Sequence, residues 1–102
     1  MKKVLLVDDH EMIREALSSF LEEYDYLEVT AHASNGREAL YLLENNQYDL
    51  IITDINMPEI DGIDFISKVK GLNPDQKILV LTMMNNAIKV KKLIGMGING
   101  FL

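Results

Sequence analysis

The chain has 102 residues, 48% of them apolar, which is enough for one domain with a buried core. Its formal net charge of −6 argues against direct nucleic-acid binding, which requires clustered Lys and Arg. The sequence contains no cysteine, which excludes disulfides and thiolate zinc sites, and no apolar run near the length of a membrane span. These features predict a soluble, cytoplasmic protein with no membrane partner.

Short apolar runs alternate with helical patterns, which is typical of βα repetition around a parallel sheet. Residues 4–7 predict a first strand, and apolar positions between residues 12 and 24 predict an amphipathic helix after it. Residues 27–33 predict a second strand. The next helix is expected to begin at its N-cap Asn35 and to run to about Glu44.

The second half of the chain repeats this alternation. Residues 50–53 predict a third strand, and the Pro-containing segment 57–62 must be a loop. A third helix is expected to stop near Gly71, before a fourth strand at residues 77–81. The pattern predicts an α/β fold with a parallel sheet.

The end of the chain continues the pattern with a short fourth helix and a fifth strand. Asn85 or Asn86 is expected to cap the helix, and Gly95 is its predicted C-terminal stop. Residues 99–102 predict the start of the fifth strand, so the predicted domain spans residues 1–102 and contains no final helix.

Polar residues follow three of the predicted strands directly. Asp8 and Asp9 come after the first strand, Asp54 after the third and Thr82 after the fourth. Because the carboxyl ends of parallel strands meet at one edge of the sheet, these side chains are expected to lie together. A single Asp at a strand end is usually a turn or cap residue, but this combination is much less expected by chance.

Three neighbouring carboxylates repel one another, and a divalent cation resolves the repulsion. Mg²⁺ prefers oxygen ligands and takes only one or two carboxylates directly. We therefore predict that Asp9 and Asp54 bind Mg²⁺ directly, Asp8 through water, and Asn56 through its backbone carbonyl. The neighbouring His10 is interpreted as an N-terminal helix residue and not as a ligand, since Mg²⁺ prefers oxygen.

A carboxylate can also act as a nucleophile toward phosphorus and form an aspartyl phosphate. Asp54 is the best candidate because it ends the central strand of the three. The Thr82 hydroxyl is placed to donate to a phosphoryl oxygen.

The chain resembles the receiver domains of two-component response regulators, and the resemblance covers its whole length in order and spacing. The matching segments are Val7-Asp8-Asp9, residues 52–62, Leu81-Thr82 and residues 97–102. The segments Asp8-Asp9-His10 and Leu81-Thr82-Met83 look most like the NarL/LuxR subclass, whose members carry a C-terminal DNA-binding domain.

The resemblance implies a doubly wound, flavodoxin-like α/β fold with strand order 2-1-3-4-5. It also implies a phosphorylation-controlled switch and not a true enzyme. Its partners would be a sensor histidine kinase and an output domain, contacted through the face of the fourth helix and fifth strand. The roles implied by the family are phosphoacceptor for Asp54, acidic pair for Asp8 and Asp9, carbonyl ligand for Asn56, and switch pair for Thr82 and Phe101.

The family pattern also places a Lys two residues beyond the position of Leu102, followed by a last helix. The resemblance therefore implies slow phosphorylation of residues 1–102 alone, and the uncovered sheet face suggests a homodimer. Two other functions remain open: a magnesium-dependent phosphohydrolase and a non-phosphorylating interaction module. The first is disfavoured because Asn56 stands where such enzymes commonly carry a second Asp.

Overall fold

The computed structural model describes residues 1–55, 62–81 and 87–101. Strands and helices alternate, and all strand pairs are parallel. The elements are β1 (Lys2–Val7), α1 (Glu11–Leu21), β2 (Leu27–Ala33), α2 (Gly36–Asn45), β3 (Leu50–Asp54), α3 (Gly62–Leu72), β4 (Lys77–Leu81), α4 (Ala87–Gly95) and β5 (Gly100–Phe101). The sheet order is β2-β1-β3-β4-β5, which confirms the predicted flavodoxin-like α/β fold.

The central strands are buried on both faces, as their continuous apolar runs predict. Alternate β1 residues contribute to two separate clusters, because successive side chains point to opposite faces of a sheet. Leu5 and Val7 join the cluster that includes Phe65 of α3 and Leu93 of α4. On the opposite face, the second cluster consists of Val4, Leu6, Ile52 and Leu21 of α1.

Several boundaries agree with the sequence. The bounds of β2 and β4 are those predicted, and Asn35 caps α2 by accepting a hydrogen bond from the Glu38 backbone N–H at 2.8 Å. The third helix was expected to stop near Gly71, and α3 ends at Leu72. The expected caps Asn85 and Asn86 lie outside the described residues.

Three exposed large apolar side chains lie on α1, and the most exposed of them is Met12 at 81%. Phe20 is 52% exposed and Ile13 is 44% exposed. Their exposure is compatible with the homodimer expected from the sequence, which stays a prediction. Among the described residues, no helix combines the length and the apolar character needed to cross a membrane.

The N-terminus of α3 lies against the backbone that follows β3. The Gly62 N–H donates to the Ile55 carbonyl at 3.1 Å, and a Cβ atom added at Gly62 would lie 2.2 Å from the Ile55 Cα. Real Cβ atoms do not approach a backbone so closely, so this contact requires glycine. The close approach fixes the residue directly after Asp54.

Gly62→Ala is therefore expected to lower the free energy of unfolding by at least about 2 kcal/mol, because neither backbone can move without separating α3 from β3. The matched control is Gly71→Ala in the same helix, where an added Cβ meets no atom within 4 Å. This control should stabilise the protein by roughly 0.5–1 kcal/mol through helix propensity. Urea unfolding of the two variants measures the contrast, and equal stabilities would contradict the close approach.

Candidate cation and phosphoacceptor site

The three predicted carboxylates lie together at the carboxyl ends of β1 and β3. Val7 and Thr53 are paired across these strands, so the next residues, Asp8 and Asp54, emerge side by side. Four donor atoms lie within 4.8 Å of one another. They are one carboxylate oxygen from each of Asp8, Asp9 and Asp54 and a ring nitrogen of His10. The strand register thus brings the predicted acidic residues together.

Asp8 anchors the loop between β1 and α1. It is only 3% exposed, and its backbone N–H donates to the Ala33 carbonyl at 3.0 Å. Its Oδ1 accepts the His10 backbone N–H at 2.7 Å, and its carbonyl accepts a hydrogen bond from Arg14 Nη1 at 2.5 Å. Because these bonds occupy both backbone and side chain, Asp8 holds the loop in shape as well as contributing charge.

Asp9 and Asp54 are more open to solvent. The Asp9 side chain is 32% exposed, and Asp54 is half-buried at the end of β3. The buried Thr53 donates its hydroxyl to the Asp54 carbonyl at 2.8 Å, which fixes the backbone of Asp54. A ligand arriving from solvent therefore meets Asp9 and Asp54 before the buried carboxylate of Asp8.

His10 is the member of this group that the sequence did not predict. It occupies the N-cap position of α1, in agreement with the sequence, but its side chain makes no capping hydrogen bond. Instead, Nδ1 donates to Asp8 Oδ1 at 2.8 Å and lies 3.0 Å from Asp9 Oδ1. The hydrogen bond to Asp8, followed by the charges of Asp9 and Asp8, raises the pKa of His10 above 6.5.

The donor set fits a hard divalent cation. Three carboxylates converge at one point, and the structure places a positively polarised imidazole N–H on two of them. Carboxylate oxygens are the ligands that Mg²⁺ prefers in proteins. The cluster is thus a potential acidic metal site.

The other predicted site residues are placed less fully. Asn56 and Thr82 lie outside the described residues. Phe101 lies on β5 opposite Val80 of β4 and packs half-buried against the larger core cluster. Since β4 stands between β3 and β5, Phe101 is separated from Asp54 by one strand.

Comparison with known proteins decides the family. Residues 4–102 match the response regulator receiver domain. The chain belongs to the response regulator receiver family. It is 33% identical over 100 residues to the response regulator protein VraR of Staphylococcus aureus, covering 98% of this chain and 48% of VraR. It is also 42% identical over 102 residues to a Pseudomonas aeruginosa protein assigned as a transcriptional regulator, covering 100% of this chain and 49% of that protein.

Solved receiver structures share the fold. The isolated receiver domain of RcsB from Salmonella enterica, determined with the phosphomimetic BeF₃⁻, superposes with a TM-score of 0.94 at 27% identity, covering 99% of this chain and 75% of that one. Chemotaxis protein CheY4 of Vibrio cholerae gives a TM-score of 0.88 at 36% identity, covering 100% and 85%. The receiver chain spans about half the length of the curated relatives named above.

The raised pKa of His10 gives a testable pH dependence in the metal-free receiver. A group whose pKa is higher in the folded than in the unfolded chain stabilises the fold below its unfolded pKa. That contribution is lost as the pH rises through the folded pKa. In an NMR titration, the His10 ring signal should titrate above 6.5 and move toward that value in Asp8→Asn, which removes the largest cause of the shift.

The His32→Gln variant identifies the His10 signal for this titration. Since the chain has only 2 histidines, the signal that remains in this variant belongs to His10. An Asp8→Asn variant that leaves the His10 pKa unchanged would show that the hydrogen bond to Asp8 is not its cause.

Proposed function

We propose that this receiver is a phosphorylation-controlled switch of a two-component system. A sensor histidine kinase donates a phosphoryl group, Asp54 accepts it, and the receiver changes its contacts with an output domain. Asp9 and Asp54 bind Mg²⁺ directly, Asp8 acts through water, and the Asn56 carbonyl completes the protein ligands. The output domain is a DNA-binding transcription regulator, in keeping with the regulator relatives.

The observation that supports this proposal is the convergence of Asp8, Asp9 and Asp54 at one edge of the sheet in a chain of the receiver family. Asp54 ends β3, a central strand with neighbours on both sides. The Thr53 hydroxyl fixes the backbone of Asp54 through its bond to the Asp54 carbonyl, and the half-buried residue remains open to a phosphodonor.

The transfer step is a nucleophilic substitution at phosphorus. A carboxylate oxygen of Asp54 forms a new O–P bond, while the N–P bond to the donor imidazole breaks. The leaving imidazole nitrogen keeps the electron pair and takes a proton from solvent. Mg²⁺ bound at this site would neutralise the negative charges of the carboxylates and of the phosphoryl oxygens.

The proposed switch couples phosphorylation of Asp54 to the α4–β5 face through residues on either side of β4. We propose that the Thr82 hydroxyl, directly after β4, donates to a phosphoryl oxygen and that Phe101 changes its side-chain position in response. The α4–β5 face then changes its affinity for the output domain. Such a shift requires that the two states interact differently with the phosphoryl group.

The cation ligands can be ranked by substitution. Asp9→Ala is expected to weaken Mg²⁺ binding more than Asp8→Ala, because Asp9 is proposed as a direct ligand and Asp8 Oδ1 already accepts two bonds from His10. Loss of an indirect partner costs about tenfold in affinity, and loss of a direct ligand more. Since the chain has no Trp, calorimetry measures the affinities. If an Asp8/Asp9 double variant bound Mg²⁺ with wild-type affinity, the proposed cation site would be wrong.

The phosphoacceptor is tested by intact-mass measurement after incubation with a small acyl phosphate and Mg²⁺. One phosphoryl group should be added, and Asp54→Asn should prevent the addition. Asp64→Asn, at an exposed position in the first turn of α3, is the matched control and should be phosphorylated like the wild type. Because the family's Lys falls two residues beyond Leu102, both residues 1–102 and an extended chain are tested, with faster transfer expected in the extended one.

Phosphorylation that persists in Asp54→Asn with acid-stable phosphate on Ser or Thr would contradict the proposed acceptor. Continuous release of phosphate over many turnovers would favour a phosphohydrolase. A switch is expected instead to hold about one phosphoryl group per chain.

A further inference from the structure

His10 lies on the same two carboxylates that the proposed function assigns to the cation. Its Nδ1 is 2.8 Å from Asp8 Oδ1 and 3.0 Å from Asp9 Oδ1. A ring nitrogen of His10 also belongs to the group of donor atoms that converge within 4.8 Å. Any cation that binds these carboxylates therefore meets the imidazole in the same space.

The His10 backbone is fixed, while its ring contacts Asp8 and Asp9 from a position largely open to solvent. Its backbone N–H donates to Asp8 Oδ1 at 2.7 Å, and its carbonyl accepts the Arg14 N–H at 3.1 Å in the first turn of α1. The side chain, in contrast, is 63% exposed. The imidazole can swing out to solvent or rotate about its side-chain bonds to present a nitrogen to a bound cation.

Cations differ in which of these two positions they favour. Mg²⁺ takes oxygen ligands and keeps several waters, so the imidazole does not bind it and loses its contact where Mg²⁺ takes the same carboxylate oxygens. Mn²⁺, Co²⁺ and Zn²⁺ accept imidazole nitrogen beside carboxylate oxygen. For these cations, the ring can remain in the site as an additional ligand.

We infer that His10 sets the cation selectivity of this site, raising its affinity for nitrogen-accepting divalent cations relative to Mg²⁺. The inference rests on the proposed cation site at Asp8, Asp9 and Asp54. It adds a specificity-determining residue that touches the cation directly in one class of complex and is displaced in the other.

The test is calorimetric titration of the untagged receiver with Mg²⁺ and, separately, with Co²⁺ at one fixed pH. In His10→Ala, the affinity for Co²⁺ should fall by about tenfold, as for loss of one partner of a metal site. The affinity for Mg²⁺ should stay the same or rise. The ratio of the two affinities is the decisive quantity, because a general loosening of the site would change both in the same direction.

His32→Ala is the matched control. It removes the other of the 2 histidines, from an exposed position in β2, and should leave both affinities unchanged. The substitution at His10 should not disturb α1, since the imidazole makes no capping bond. Thermal unfolding of both variants checks this.

A spectroscopic measurement identifies the ligand directly. On addition of Zn²⁺, the ¹⁵N signals of the His10 ring should shift to the position of a metal-bound nitrogen, whereas Mg²⁺ should move them to the position of a solvent-exposed ring. The same ring signals with Zn²⁺ and Mg²⁺ would overturn the inference.

The outcomes separate the inference from the proposed function. An unchanged Co²⁺ to Mg²⁺ affinity ratio in His10→Ala, with binding still abolished in the Asp8/Asp9 double variant, would overturn the role of His10 and leave the cation site intact. Failure of the wild type to bind either cation would overturn both.

Discussion

Mutual repulsion among Asp8, Asp9 and Asp54 is the interaction on which the site depends. Two unit charges about 4 Å apart interact by roughly 4 kcal/mol at the effective dielectric of a protein surface, so the cluster holds unfavourable energy. The buried strands β1 and β3 keep the carboxylates together despite this repulsion. Any cation that reaches the site relieves it, and the convergence of the three groups therefore creates affinity for positive charge.

The apolar core supplies the rigidity for this arrangement. Val4–Val7 of β1 are at most 1% exposed, and the two clusters hold the strand from both faces. On β3, the contact between Gly62 and Ile55 fixes the backbone just beyond Asp54. The backbones that carry Asp8 and Asp54 therefore cannot move apart without disturbing this packing.

The sequence predicted most of the fold because the periodicity of its apolar residues carries that information. The bounds of β2 and β4 and the cap at Asn35 agree with the structure. Details of the pairing between strands were not predictable. The register between β1 and β2 shifts between Val4 and Leu5, an irregularity that the alternation of side chains does not reveal.

The site was predictable in its residues but not in their contacts. Parallel topology alone requires Asp8, Asp9 and Asp54 to meet. The position of the His10 ring depends on a side-chain rotation, and its residue type gave no signal for it. The roles of Asp54, Asn56 and Thr82 were inferred from the chemistry of the strand ends and from the family resemblance. The role of Phe101 came from the resemblance alone, and all four roles stay proposals.

The same charge balance links the proposed cation site to the proposed switch. An aspartyl phosphate at Asp54 would carry more negative charge than the carboxylate it replaces, next to Asp8 and Asp9. A bound cation then stabilises the phosphorylated state more than the unphosphorylated state, and by linkage phosphorylation strengthens cation binding by the same factor. His10 contributes to the charge of the site, because its ring contacts Asp8 and Asp9 when no cation is present. Either kind of cation must break the hydrogen bond from the ring to Asp8, but a cation that takes the ring as a ligand gains a bond to its nitrogen in exchange. The identity of the cation would in this way change how readily the receiver reaches its phosphorylated state.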